Sequence, residues 1–89
     1  MKLPIAFEVT VTKEDFENSS QYYMDNGHCP LATAIRRLFR GYGVSYISVG
    51  TRFIDIGDTS YTSDEGFTED DFYRLENDGV EKTILFIED

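Results

Sequence analysis

Cys29 is the strongest candidate in this sequence for a chemically reactive side chain. It precedes Pro30, and proline is favoured at the first position of a helix, so Cys29 is predicted to be a helix N-cap. At that position the helix dipole and unpaired N–H groups can lower a thiol pKa and create a nucleophile. His28 is the one histidine of the chain and thus the one conventional base. The alternative is a small buried thiol, the usual environment of a free cysteine. A reactive thiol at Cys29 is therefore a hypothesis, and we predict no catalytic residue.

The many carboxylates raise the question of a metal or acid–base site. Asp64 and Glu65 are adjacent, and three more carboxylates follow Thr68. The spacing of a calcium-binding helix–loop–helix motif is absent, and carboxylates in the first turn of a helix are explained by the helix dipole. One cysteine and one histidine cannot form a standard four-ligand zinc site. We therefore predict no metal and no cofactor.

Three arginines form the one basic cluster of the chain. Arg36 and Arg40 are four residues apart, so they share a helical face and could bind an anion or an acidic partner. The alternative is that Arg36, Arg37 and Arg40 pair with carboxylates of the same chain. No phosphate-binding glycine-rich loop accompanies them, since Gly41 and Gly43 stand without the remaining motif residues.

The composition limits the classes of protein that this chain can represent. Its 89 residues carry a net charge of −9, which disfavours direct binding to a nucleic acid. Residues 1–45 contain five basic and five acidic side chains, whereas residues 46–89 contain three basic and twelve acidic ones. That excess is either an interaction face or a solvated surface. No apolar run is long enough for a membrane span, and we expect a cytoplasmic protein with one domain over residues 1–89.

The elements that must position these residues follow from periodicity and capping signals. Residues 4–12 alternate as a half-buried strand does, and Thr12 begins a capping-box pattern for a short helix through 16–18. Residues 18–27 are predicted to be a loop. Pro30 begins the main helix, whose apolar side chains recur at helical spacing, and Gly41 ends it.

The second half is predicted to contain three strands and one helix. Residues 44–49 and 52–56 form a hairpin, and 57–66 is a polar connection in which Tyr61 could add a brief strand. A helix begins at Thr68 and ends at Gly79, and 82–87 is apolar on both faces, as a central strand is. The order β-α-β-β-α-β predicts an α+β domain of the ferredoxin-like split βαβ type, with both helices on one face of a four-stranded antiparallel sheet. Another small α+β sheet remains the alternative.

Several of these segments resemble a loosely defined family of small phage-associated and bacterial proteins of unknown function. The matching segments are the strand at 9–12, the Cys-Pro-Leu-Ala helix at 29–37, the hairpin at 44–56, and Asn-Asp-Gly at 77–79 before the last strand. The chain differs from that pattern in the acidic stretch 57–66 and in lacking a proline before the final strand. The resemblance implies a phage or mobile-element setting in a bacterial host and carries no assigned activity.

The leading functional hypothesis is an acidic, non-enzymatic protein that binds or inhibits another protein, in one version as a mimic of nucleic-acid charge. Tyrosine is enriched at interfaces, and clustered carboxylates suit a basic partner. The candidate interaction residues are Tyr22, Tyr23, Tyr61, Asp64, Glu65, Glu69 and Asp70. The alternatives are a self-associating protein that pairs through an edge strand, and an enzyme or sensor that depends on Cys29.

Overall fold

A computed structural model describes residues 2–23 and 27–89. In chain order its elements are β1 (Ala6–Val11), α1 (Lys13–Glu17), α2 (Pro30–Leu38), β2 (Ile47–Val49), β3 (Phe53–Ile56), β4 (Thr59–Thr62), α3 (Glu69–Asp78) and β5 (Lys82–Glu88). The alternating strand at the N-terminus, the short helix after Thr12, the main helix from Pro30 and the final strand are all confirmed. No helix among the described residues is long and apolar enough to cross a membrane.

The five strands form one antiparallel sheet in the order β1-β5-β4-β3-β2. The first and last strands pair along their length, from Ala6 opposite Ile87 to Val11 opposite Lys82. The pairing of β4 with β5 is much shorter, at Tyr61 with Glu88 and Thr62 with Ile87. The structure is therefore a small α+β domain with three helices in the described residues.

The four-stranded ferredoxin-like layout is not confirmed. Residues 57–66 were expected to be mainly a connection, but Gly57, at a φ of +60°, and Asp58 form a tight turn from β3 into β4. Tyr61 points into the core and supplies the apolar side chain that makes β4 a strand of the sheet. Because β4 takes the position beside β5, the order along the sheet becomes a meander of β2, β3, β4 and β5, with β1 at the far edge.

Helix α2 packs against β1 and β2, which are the two edge strands of the sheet. A helix can touch both edges of a five-stranded sheet only where the sheet curves around it. The inner face of the sheet and the helices bury one continuous apolar core, which includes Leu31 and Ile35 of α2 and Phe86 of β5. In residues 2–23 and 27–89, no helix or strand forms a layer over the other face of the sheet.

Two helices begin with the same reciprocal cap. The Thr12 side chain accepts a hydrogen bond from the Asp15 backbone N–H, and the Asp15 carboxylate accepts one from the Thr12 N–H. Thr68 and Asp71 repeat this arrangement at α3. In both caps aspartate replaces the glutamate that usually completes a capping box.

Candidate functional site

The outer face of the sheet is the uncovered side of the molecule. Strand alternation places these side chains on it: Ala6, Glu8, Thr10, Ser48, Phe53, Asp55, Ser60, Thr62, Thr83, Leu85 and Ile87. Three of them are large apolar groups that remain about half exposed, at 59% for Phe53, 49% for Leu85 and 50% for Ile87. The set contains two acidic side chains and no basic one.

The strand register aligns apolar groups across this outer face. Ala6 lies opposite Ile87 on β5, Ile87 lies opposite Thr62 on β4, and Thr62 lies opposite Phe53 on β3. The Phe53 ring covers Gly50, where an added Cβ would stand 2.7 Å from the ring Cζ atom. These side chains form a row across four strands, and we call this row the apolar strip. Its members are Ala6, Ile87, Thr62 and Phe53, which come from distant parts of the chain.

An acidic groove lies on the outer face beside β5. Its volume is about 470 Å³, and it is lined by Glu8, Thr62, Ser63, Asp64, Glu65, Thr83, Leu85 and Ile87. Three carboxylates stand around the apolar Leu85 and Ile87 side chains. A fourth carboxylate lies near the groove, since the Thr62 hydroxyl donates to Asp89 Oδ1 at 3.2 Å. Apolar surface next to negative charge is suited to a cationic side chain with an aliphatic stem.

Among the described residues, the one ion pair of this groove joins Lys82 to Glu65, so Glu8 and Asp64 have no paired cation there. The Lys82 ammonium group donates to Asp71 Oδ2 at 2.7 Å and lies 3.9 Å from Glu65 Oε2. Burial raises the pKa of Asp71, but hydrogen bonds from Lys82 and Thr68 outweigh it and lower the pKa below its ordinary value. Lys82 is thus held mainly by the cap of α3, at the end of the groove.

The arginine cluster lines a second groove, between α1 and α2, together with Glu14, Asp15 and Thr33. Arg37 is bound to Asp15 and to the Thr10 carbonyl oxygen, and Arg36 donates to the Gly27 carbonyl oxygen. Arg37 therefore pairs with a carboxylate of the same chain, as one alternative predicted. Arg36 and Arg40 are exposed on this surface, next to the carboxylates of α1.

Arg37 also contacts the outward-facing backbone of the edge strand β1, which is relevant to the hypothesis of self-association. Thr10 lies on β1, and its carbonyl oxygen faces away from β5 because only alternate residues of β1 direct their backbone N–H and C=O groups toward β5. The Arg37 Nη2 atom donates to that oxygen at 2.7 Å. This hydrogen bond occupies one of the backbone acceptors of β1 that face away from β5.

Cys29 is the N-cap of α2, as predicted, but it is 2% exposed. Its side chain does not cap the helix. The neighbouring His28 side chain is exposed, so the two residues lie in different environments. Burial of the thiol matches the alternative that Cys29 is a core residue and gives no support to a reactive group. The described residues contain no cluster of three or more histidine, cysteine or acidic side chains able to hold a metal ion.

The predicted interaction tyrosines occupy three different environments. Tyr22 is 73% exposed, as expected. Tyr23 is half-buried, with its hydroxyl 3.0 Å from the Thr51 hydroxyl and its ring against Phe72. Tyr61 was expected to be exposed, and this is wrong: the ring is fully buried and its hydroxyl donates to the Pro4 carbonyl oxygen at 2.6 Å. Burial, followed by the nearby Glu88 charge, raises the pKa of Tyr61.

The predicted acidic residues are divided between two places. Asp64 and Glu65 line the acidic groove. Glu69 and Asp70 are exposed in the first turn of α3 and do not line it, and Asp70 pairs with Arg74 at 3.0 Å. Phe53, Leu85 and Ile87 were missed as surface residues. For Leu85 and Ile87 the available signal was the apolar pattern on both faces of 82–87, which was interpreted as that of a central strand.

Comparison of the chain with protein-family models, with curated proteins and with solved structures finds no match. The candidate site is therefore defined by its own geometry. Its components are the apolar strip on the outer face and the acidic groove beside it.

Proposed function

We propose that this protein binds another protein on the outer face of its sheet, and that the partner is basic where it meets that face. The observation that carries the proposal is the exposure of Phe53, Leu85 and Ile87 on one uncovered face, next to the carboxylates of the acidic groove. Exposed apolar surface bordered by charge is typical of interfaces between proteins. The buried Cys29 thiol supports a binding role over catalysis by that residue.

The mixed character of this surface favours one form of the hypothesis over a pure mimic of nucleic-acid charge. A charge mimic would rely on exposed ion pairs, which salt screens strongly. The apolar strip adds area whose burial does not depend on ionic strength. We therefore expect salt to weaken the complex without abolishing it. Because the resembled family is phage-associated and bacterial, a bacterial lysate is the first source of partners to use.

The test is affinity capture with matched pairs of substitutions. Phe53→Ser with Ile87→Ser removes two apolar groups from the outer face, whereas Tyr73→Ser with Val80→Ser removes two exposed apolar groups elsewhere. Circular dichroism verifies that each variant is folded. We expect a lysate protein that is retained by the wild type and the second variant and is lost with the first. Equal retention by both variants, or complete loss at high salt in the wild type, would contradict the proposal.

A further inference from the structure

Within the described residues, part of the β5 edge has no paired strand where it borders the acidic groove. The Glu88 N–H donates to the carbonyl oxygen of Ile5, the residue before β1, at 2.8 Å, whereas the Asp89 N–H donates to the carbonyl oxygen of Ser60 in β4 at 3.0 Å. Alternate residues of a strand direct their backbone groups to opposite sides, so Ile87, Leu85 and Thr83 direct theirs toward the β4 side. The pairing with β4 ends at Ile87. The backbone groups of Leu85 and Thr83 therefore lie beyond its end.

The chain after β4 follows β3 and leaves β5. The Ser63 N–H donates to the Arg52 carbonyl oxygen at 2.8 Å, and the Phe67 N–H donates to that of Thr51 at 2.9 Å. This path separates residues 63–65 from β5 and opens the groove between them. Gly66 keeps the chain close to Thr51, since a Cβ at this position would stand 1.9 Å from the Thr51 oxygen. The separation is thus built into the backbone path.

We propose that the acidic groove binds an extended segment of the partner protein that carries lysine or arginine and pairs with the free edge of β5. Backbone groups of Thr83 and Leu85 would bind the segment backbone, and Leu85 and Ile87 would contact the aliphatic stem of a cationic side chain. Glu8 and Asp64 would bind its charge. At about 3.3 Å per residue, the free stretch fits a segment of about three to five residues. This inference rests on the proposed function and names the chemistry of the partner.

The first measurement is fluorescence anisotropy with a labelled peptide of alternating lysine and valine, seven residues long. The groove variant is Glu8→Gln with Asp64→Asn, and the control is Glu76→Gln with Asp78→Asn, which changes the net charge equally on α3. We expect the Kd to rise about tenfold in the groove variant, because two charge-assisted contacts are lost, and less than about twofold in the control. Absence of binding to the wild type, or equal weakening in both variants, overturns the inference.

The second measurement detects strand pairing separately from charge. In amide-resolved NMR of the wild-type protein, we expect the peptide to shift the Thr83 and Leu85 amide signals and to slow their hydrogen exchange. Binding that leaves both amides unchanged overturns the pairing. An analogue with glutamate in place of lysine is expected not to bind. One outcome separates the two proposals. If the lysine–valine peptide does not bind, but the substitutions of Phe53 and Ile87 still abolish capture of a lysate protein, this inference is wrong and the proposed function stands.

Discussion

Arg37 of α2 holds the buried carboxylate of Asp15 through two hydrogen bonds. Nε donates to Oδ1 at 3.0 Å and Nη2 donates to Oδ2 at 2.9 Å. The same carboxylate accepts from the backbone N–H of Thr12, so one side chain caps α1 and binds it to α2. Lys82 of β5 and Asp71 of α3 repeat this design with a 2.7 Å ion pair. In each case a local helix cap also joins distant elements of the fold.

Substitution of Asp15 is expected to destabilise the protein substantially. Asp15→Ala removes the cap of α1 and the ion pair with Arg37, and we expect the free energy of unfolding to fall by about 2 kcal/mol. Urea denaturation followed by circular dichroism measures it. Asp70→Ala is the control, since its pair with Arg74 is exposed and should contribute less than about 1 kcal/mol. Similar losses in both variants would contradict a structural role for the Arg37–Asp15 pair.

Stability is expected to decline in acid because of Asp15 and Asp71. At both sites burial raises the pKa, but the cation and the threonine hydrogen bonds bring it below the ordinary value of 3.8. Their contribution is complete above that unfolded-state value. It is lost as the pH falls through the lower folded-state values, because the unfolded chain takes up protons first.

The measurement for this pH dependence is urea denaturation between neutral pH and strong acid. The double variant Asp15→Asn with Asp71→Asn should be less stable at neutral pH and should lose less stability in acid than the wild type does. The other carboxylates titrate in both proteins, so the comparison isolates these two. Parallel pH profiles would show that neither carboxylate is linked to folding.

Two glycines with nearly equal backbone angles should respond differently to alanine. Gly66 and Gly79 have φ values of +66° and +67°, so a side chain is strained at both, by about 1–2 kcal/mol. A Cβ at Gly66 would also stand 1.9 Å from the Thr51 carbonyl oxygen. A Cβ at Gly79 would have no neighbouring atom within 4 Å. We expect Gly66→Ala to be the more destabilising by at least about 2 kcal/mol in thermal or urea unfolding. Equal losses would mean that the chain around Thr51 moves freely.

Tyr61→Phe should show how much the buried hydroxyl contributes to the free energy of unfolding. The variant loses the hydrogen bond to the Pro4 carbonyl oxygen, and we expect a loss of about 1 kcal/mol at neutral pH. Since the pKa of Tyr61 is raised above 10.0 by burial, the wild type should also lose stability as the pH rises above that value, and the variant should lose less. Tyr22→Phe, at an exposed position, is the control and should match the wild type.

The Cys29 thiol should be protected from reagents in the folded protein. Its side chain is 2% exposed, so labelling needs an opening of the core. We expect a thiol reagent such as DTNB to react more than about 100-fold more slowly with the folded chain than with the chain unfolded in urea. Fast labelling at neutral pH would restore the hypothesis of a reactive thiol.

The sequence by itself determined the elements whose signals are local. The capping boxes at Thr12 and Thr68, the start of α2 at Pro30 and the end of α3 at Gly79 depend on residues within about one helical turn. Strand alternation likewise follows from neighbouring residues, and it predicted the strand that the structure has at β1. The sequence also predicted Asp64 and Glu65 as candidate interaction residues, and both line the acidic groove.

Only the tertiary structure decided the strand order, the burial of Tyr61 and the composition of the outer face. Apolar residues at Leu85 and Ile87 indicate burial in any local pattern, but whether a second layer covers them depends on where the helices pack. The three helices of the part of the chain that the structure describes all contribute to the core on the inner face, so none of them covers the outer face. Likewise, Arg37 meets Asp15 because α2 crosses β1, a contact between segments far apart in the chain. Local sequence encodes the elements, whereas competition among distant surfaces for burial determines which of them cover one another.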